Sequence, residues 1–430
     1  MVCWGKLVKP AKLSQPQYFA GFRCLGSDCD DTCCDGWGLI VDKETYNKYE
    51  NSGDPELQSA IGELITINAN ESSADNYAAI KLSETHCPFL SEGLCSIQRR
   101  LGEEYLAKTC ATYPRVMNLV DGTLERSLDL SCPEAARLAL LNPSPMHFEE
   151  ADNKEENSRI GNLAVLETFD SQYPGKPYRY FQPLRGLVVS LLQNRKHPVW
   201  KRLVIVGYLC DKLNEMAAEG AQPEILQIIQ GYLDANAGGL FDDHLCRYLA
   251  QPATQLEIVL ELIVCRIGSE FTARRFMECY RECMQGVGWT QESTMEDLGS
   301  RYTAAYTQYY APFLSEHEYL MEHYLINYVY RTLFPLGPQQ SSRKLGIPQT
   351  DNTICTQYRL MAAYYAIIQT VLIGLAGFHK SALSPAHAIK LIQSFTKNFE
   401  HSLSYPSRVI QVLTGRGLKN AASMAVLFQN

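Results

Sequence analysis

Cys87-Pro-Phe-Leu-Ser-Glu-Gly-Leu-Cys95, followed by Lys108-Thr-Cys110-Ala-Thr-Tyr-Pro114, sets three thiols in short turns. Upstream stand Cys24, Cys29 and the adjacent pair Cys33-Cys34, and downstream comes Cys132-Pro133. Eight thiols in one region make a donor set for a soft metal centre, and zinc and iron–sulfur clusters both take thiolate ligands. Four-thiolate zinc sites commonly show two close Cys-x-x-Cys pairs, which are lacking here. The wider spacings favour an iron–sulfur cluster, with zinc as the alternative. A [4Fe-4S] cubane takes four thiolates, so the expected quartet is one of Cys33 and Cys34 with Cys87, Cys95 and Cys110. Cys24, Cys29 and Cys132 then hold a second metal or pack around the first. Reduced, buried thiols are the plain alternative.

Nine of the fifteen cysteines fall within the first 132 residues. The other six are scattered on helical patterns and read as small buried hydrophobes. A chain of 430 residues is also long for a disulfide scaffold, and its 46% hydrophobic and 20% charged residues are those of a globular protein. A formal net charge of −8 argues against general nucleic-acid binding. The N-terminus has no apolar run fit for a signal peptide. Ala366 to Phe378 is the most apolar stretch, short of the roughly 20 residues that span a bilayer. The expectation is a cytoplasmic protein without membrane insertion.

Around the thiols, Gly, Asp and Ser between Cys24 and Gly38 indicate loops, where glycine lets backbone and thiolates approach closely. Helices are expected over Val41–Asn51 and Pro55–Ile67, with Asp42 and Asp54 as N-caps. A strand is expected at Ala78–Leu82, and a helix Ser96–Lys108 that delivers Cys110. Residues 115–119 and 123–129 suit a hairpin about Asp121-Gly122, and Pro133 opens a helix to Leu141. From these patterns residues 1–141 form a cysteine-rich, loop-rich metal-cluster domain, and 142–158 an acidic linker whose run Glu149–Glu156 reads as a solvated surface.

Residues 159–430 form the larger domain. Segments 179–194, 198–219, 222–236, 253–268, 271–286, 316–334, 353–377, 385–402 and 406–427 carry apolar residues at helical spacing, punctuated by prolines. The fold class is therefore mainly α, with the cysteine-rich domain packed on an α-helical bundle. A nucleotide-binding turn would need glycines after a strand. Gly286-Val-Gly288 and Gly374-Leu-Ala-Gly377 sit at helix ends instead and read as loop or packing positions. The Cys-x3-Cys-x2-Cys spacing of radical S-adenosylmethionine enzymes is not met, since Gly36 follows Cys29-x3-Cys33 at the third place.

One helix carries chemistry. Glu318 to Pro335 sets His323, Asn327 and Arg331 four residues apart on one face, beside Tyr324 and Tyr328. Such a face can line a pocket for a cationic ligand, a sulfonium or an alkylammonium. A packed tyrosine-rich helix with a polar edge is the alternative. Tyr358-Arg359 is expected to face it.

On these residues the chain resembles the flagellin lysine N-methylase family, and its N-terminal third is similar to a wider group of eight-cysteine zinc- or iron-chelating proteins. The likeness to the latter is carried by Cys33-Cys34-Asp-Gly-Trp37, Cys87-Pro-Phe-Leu90 and Thr109-Cys-Ala-Thr-Tyr-Pro-Arg115. Ser127-Leu-Asp-Leu-Ser-Cys-Pro133 extends it. The methylase likeness needs Asn327-Tyr-Val-Tyr-Arg331, Tyr358-Arg-Leu-Met361 and Asn398-Phe-Glu-His401. The resemblance implies methyl transfer from S-adenosylmethionine to surface lysines of flagellin by an enzyme with an iron–sulfur cluster. Glu322, Tyr324 and Tyr328 are then candidates for orienting and deprotonating the lysine, and Asn327, Arg331 and Arg359 for holding the cofactor. The competing class is a non-enzymatic metal-binding adaptor or redox sensor.

Overall fold

The computed structural model describes residues 12–35, 38–68, 73–83, 86–151, 163–169, 177–218, 225–241, 245, 248–267, 274–337 and 354–430. Cys3, Gly36, Trp37, Cys246 and the acidic run beyond Ala151 lie outside the described residues. The expected helices appear as Phe181–Leu192, Val199–Ala218, Ile225–Gly238, Pro252–Ile267, Arg274–Gly286, Tyr319–Arg331, Ile354–His379 and Pro385–Phe395. The last continues as a wide π-turn over Thr396–Glu400. The final expected helix stops early, at Tyr405–Gly415. Gly417 takes a φ of +75° there, and Leu418 N–H closes back on the Leu413 carbonyl, a glycine-terminated helix end. Met295–Ala305 is a further helix that the apolar spacing did not indicate. Its N-terminus does carry a sequence signature, the reciprocal capping box of Thr294 and Asp297.

The glycines read as packing residues do pack. A Cβ at Gly286 would lie 1.9 Å from the Gly374 carbonyl oxygen, and one at Gly374 would lie 2.2 Å from Cys283 Sγ. Only glycine lets Arg274–Gly286 cross Ile354–His379 so closely. The latter helix runs unbroken past the apolar stretch Ala366–Phe378, and by length and composition it could cross a membrane. Its most apolar window is 94% buried by protein, which makes it the central core helix.

The first third holds more sheet than expected. Five strands run in the order Leu163–Leu166, Arg115–Val120, Thr123–Leu128, Lys12–Pro16, Phe148–Glu150. The central hairpin was legible, and it turns at Asp121 and Gly122, both at positive φ. The outer pairings are non-local: Lys12–Pro16 lies parallel to Thr123–Leu128, and Phe148–Glu150 of the expected linker pairs antiparallel with Lys12–Pro16. Near the thiols, Pro55–Leu64 gives way to the strand Ile65–Ile67, which pairs with Ala78–Ile80. The helix expected to run to Lys108 stops at Leu101, because Gly102 turns out at φ +98°. Cys110 therefore sits on its own short helix, Lys108–Thr112.

Two cores result. One gathers Leu39, Val41, Tyr49, Ile61, Cys87, Phe89, Ile97 and Ala107 under the cysteine-rich part. The larger one joins the bundle to Tyr18, Phe19, Leu128, Leu130 and the helix Pro133–Leu140. The sheet is thus seated on the bundle through apolar burial. It is also held by the buried pair Arg185–Glu125, whose guanidinium lies 4.8 Å from the Tyr330 ring centroid.

Candidate functional site

The cysteine loops do bring the expected sulfurs into one neighbourhood. Cys87 N–H donates to the Cys34 carbonyl at 2.8 Å, and Cys95 pairs across a two-residue ladder with Leu90, whose N–H donates back to the Cys87 carbonyl. Cys34, Cys87, Cys95 and Cys110 all border the smaller core, and each lies within electrostatic reach of the others. Burial pushes the Cys87 thiol up to about 12 and raises those of Cys95 and Cys110. Cys34 moves the other way, to about 7, because the Cys33 thiol donates to it and the Thr32 hydroxyl and Lys397 charge add to the effect. A second group brings Cys24 and Cys29 toward Cys132, whose thiol burial raises to about 11. Cys33, hydrogen-bonded to Cys34, lies within electrostatic reach of both Cys110 and Cys24. No disulfide joins the described cysteines. Among the described residues no three His, Cys, Asp or Glu side chains stand in metal-holding geometry. The donor set suits a soft metal chemically, and the sulfurs adjoin one another without being arranged around a point.

The second feature lies on Tyr319–Arg331, where every residue from Leu320 to Tyr330 is buried. Arg331 Nη1 donates to Asp129 Oδ2 at 3.2 Å, and its Nη2 pairs with Glu400 Oε2. Tyr324 Oη donates to Glu400 Oε1 at 2.8 Å, and His401 Nε2 meets Asp129 Oδ1 at 3.1 Å. Ser131 N–H adds a 2.9 Å bond to the same Asp129 oxygen. The Tyr328 ring lies beside the Arg331 guanidinium, 5.9 Å from its centroid, and meets Tyr364 edge-on. Five polar residues from three distant stretches therefore close one network over an aromatic bed.

Its electrostatics are uneven. Burial works against the Asp129 carboxylate, but the charges of His401 and Arg331 outweigh it and hold the carboxyl well below the usual range. At Glu400 burial wins and the pKa is raised, with Arg331 and the Tyr324 hydroxyl only partly offsetting it. Burial keeps the Tyr324 phenol protonated far above its ordinary range. For His401 burial lowers the pKa, yet the Asp129 charge and hydrogen bond reverse this and raise it above 6.5. A raised histidine contributes its ion-pair stability in full below 6.5 and loses it as pH rises through the raised value. Urea midpoints should therefore fall in the wild type as pH rises above 6.5, and His401→Gln should flatten that decline; an unchanged slope contradicts the ion pair.

The predicted site residues divide. Tyr324 and Arg331 join the network directly, and Tyr328 belongs to the aromatic bed beside Arg331. Asn327 supports it, accepting from Tyr18 Oη and donating to the Leu128 carbonyl at 3.2 Å. His323 turns to the Ala139 carbonyl, and burial lowers its pKa. Glu322 lies on another face of the helix. There Arg195 holds both its oxygens at 2.9 Å, and Arg202 Nη1 adds a third bond at 2.7 Å. Arg359 sits near Cys355 and donates to Thr414 Oγ1 at 2.9 Å.

Residues 185–427, more than half of the chain, match the family described as FliB lysine N-methylase C-terminal domain. The chain belongs to this family. The flagellar biosynthetic protein FliU of Salmonella muenchen is 33% identical over 155 residues, 35% of this chain and 90% of that protein. The lysine-N-methylases of Salmonella typhimurium and Salmonella choleraesuis are each 34% identical over 147 residues, 33% of this chain. The match spans only 36% of the length of those two relatives. No solved structure matches the chain.

Four of the network residues, Tyr324, Arg331, Glu400 and His401, fall inside the family domain, while Asp129 and the clustered thiols precede it. Reading the sequence residue by residue gave Asp129, Glu400 and His401 no role. The signal was present in Ser127-Leu-Asp-Leu-Ser131 and Asn398-Phe-Glu-His401, two of the motifs that carry the resemblance. Both put acidic groups next to segments whose neighbours are buried.

Proposed function

We propose that this member of the lysine N-methylase family is a protein-lysine N-methyltransferase acting on surface lysines of flagellin with S-adenosylmethionine. The observation that carries the reading is the buried cluster of Tyr324, Arg331, Glu400 and His401 inside the family domain, closed by Asp129. The donor, when bound, supplies an electrophilic methyl on a sulfonium. A lysine amine must be neutral to attack, so its proton has to leave first.

Glu400 is the proton acceptor in this scheme. Its raised pKa suits a base, and one of its oxygens is held by a phenol that can yield to an incoming amine. Glu322 suits that task less well, since guanidinium groups occupy both its oxygens. With the donor bound, the neutral amine would take the methyl with its lone pair, the S–C bond electrons staying on the departing sulfur, while the network residues hold the amine and accept its proton. Tyr324 and Tyr328 orient the amine, and Arg331 fixes Glu400. Asn327 and Arg359 remain the proposed cofactor-side residues. Much of the rate in such a reaction comes from positioning. Mass spectrometry of flagellin incubated with the protein and S-adenosylmethionine tests the reading; no mass increase at any lysine rules it out.

The thiol region is proposed to bind a [4Fe-4S] cluster, or zinc, through Cys34, Cys87, Cys95 and Cys110, with Cys33 in reserve. Cys24, Cys29 and Cys132 form the second group. A metal there would act as a staple for loops that have a small core of their own, since metal binding energy becomes folding energy. Cys95→Ser should remove the bound metal, seen by absorbance and elemental analysis, and lower the thermal midpoint of the chain. Full metal content in that variant excludes Cys95 as a ligand.

A further inference from the structure

The cysteine loop is tied to the bundle by Arg275, whose Nη1 donates to the Asp30 carbonyl at 2.8 Å, and more closely by Lys397 and Gln393. Lys397 Nζ donates to Asp31 Oδ1 at 3.1 Å, to Asp31 Oδ2 at 3.0 Å and to the Thr32 carbonyl at 2.9 Å. That uses all three N–H donors of the ammonium. Gln393 Nε2 donates to Asp31 Oδ2 at 2.9 Å and to the Ser131 carbonyl at 2.7 Å, which uses both donors of the amide. Gln393 is fully buried, and the Lys397–Asp31 pair is 11% and 15% exposed. A pair so enclosed is not the surface kind that contributes little.

The Lys397 and Gln393 anchors both lead to the network. Lys397 and Glu400 share the π-turn Thr396–Glu400. Such turns interrupt the regular helix ladder and are frequent where helices serve a site. Ser131, whose carbonyl receives Gln393, gives its own N–H to Asp129. The two carboxylates that grip Arg331 are thus each one step from a residue that grips Asp31, and Asp31 lies two residues from Cys33.

We propose that Lys397 and Gln393 are positioning residues, coupling the state of the cysteine loop to the placement of Glu400 and Asp129. Cysteines that hold their loop keep the π-turn in register, and cysteines alkylated on sulfur release it. This rests on the methyl-transfer reading of the network for its consequence in rate, but not for the coupling itself.

Hydrogen exchange on the full chain tests it, with N-ethylmaleimide as the thiol-blocking probe. After alkylation, amides of 396–401 and 129–132 should exchange about tenfold faster, while the helix Val199–Ala218 stays unchanged. Lys397→Met should show the fast exchange at 396–401 without alkylation and no further response, and Lys397→Arg should respond as the wild type does. The same Met variant should lose about tenfold in kcat with KM for flagellin kept within about twofold. Exchange at 396–401 that alkylation leaves unmoved overturns the coupling, as does a rise shared by Val199–Ala218, which is general unfolding. If exchange responds as described but the wild type never methylates flagellin, the coupling stands and the methyl-transfer reading falls.

Discussion

Glu400→Gln is expected to cut kcat for lysine methylation by about 10²- to 10⁴-fold, the usual worth of a positioned general base. The substitution keeps shape and retains an acceptor for the Tyr324 hydroxyl while removing the charge. KM for flagellin should change little, because the amide still fills the site. The pH profile separates this role from a structural one. In the wild type, rate rises with pH as Glu400 and the substrate lysine lose protons. A free lysine titrates near 10.4, so the lower limb belongs to Glu400, whose pKa burial has raised. The Gln variant should lose that lower limb and keep only the lysine's titration. Arg331 would retain Asp129 as a partner, so the fold should survive with a lowered midpoint. Rates near wild type with the limb intact would return the base role to another residue.

The fold was legible where its causes are local. Helical spacing and prolines located most of the bundle, and Asp42 and Asp54 cap the helices they were expected to cap, each accepting from a backbone N–H at 3.0 Å. Sheet pairing depends on strands far apart in sequence, so Lys12–Pro16 and Phe148–Glu150 gave no signal alone. Gly102 was a visible breaker that the apolar pattern around it masked. The thiols were readable as a group because sulfur crowding needs no knowledge of topology. The network was only half readable. Arg331 and Tyr324 share a helix face, which periodicity reveals, but their partners Asp129 and Glu400 come from a strand end and a π-turn that no spacing rule connects. Glu322 shows the converse limit. Helical spacing placed it near the tyrosines in number, and only the arrangement of Arg195 and Arg202 shows where its charge is used.

That arrangement sets a large stability effect. Arg202 is 1% exposed, and its side chain touches four acceptors: Glu322 Oε2 at 2.7 Å, Glu318 Oε2 at 2.7 Å, the Leu192 carbonyl at 3.0 Å and the His197 carbonyl at 2.6 Å. It therefore finishes the C-terminal end of Phe181–Leu192, supports the turn into Val199–Ala218, and neutralises a fully buried carboxylate on the tyrosine-bearing helix. Arg202→Met leaves Glu322 buried with Arg195 alone and two carbonyls without that donor, a loss of about 3–5 kcal/mol by the usual cost of breaking a buried pair. Arg195 is 40% exposed, so Arg195→Met should cost only about 1 kcal/mol, because water takes over its share. Arg202→Met combined with Glu322→Met should recover part of the loss, since an apolar pair of similar volume often replaces a buried ion pair without penalty. Urea midpoints of the three variants decide the matter. Equal effects for Arg202 and Arg195, or no recovery in the double variant, would mean that the charge on Glu322 is needed for something other than holding its helix in place.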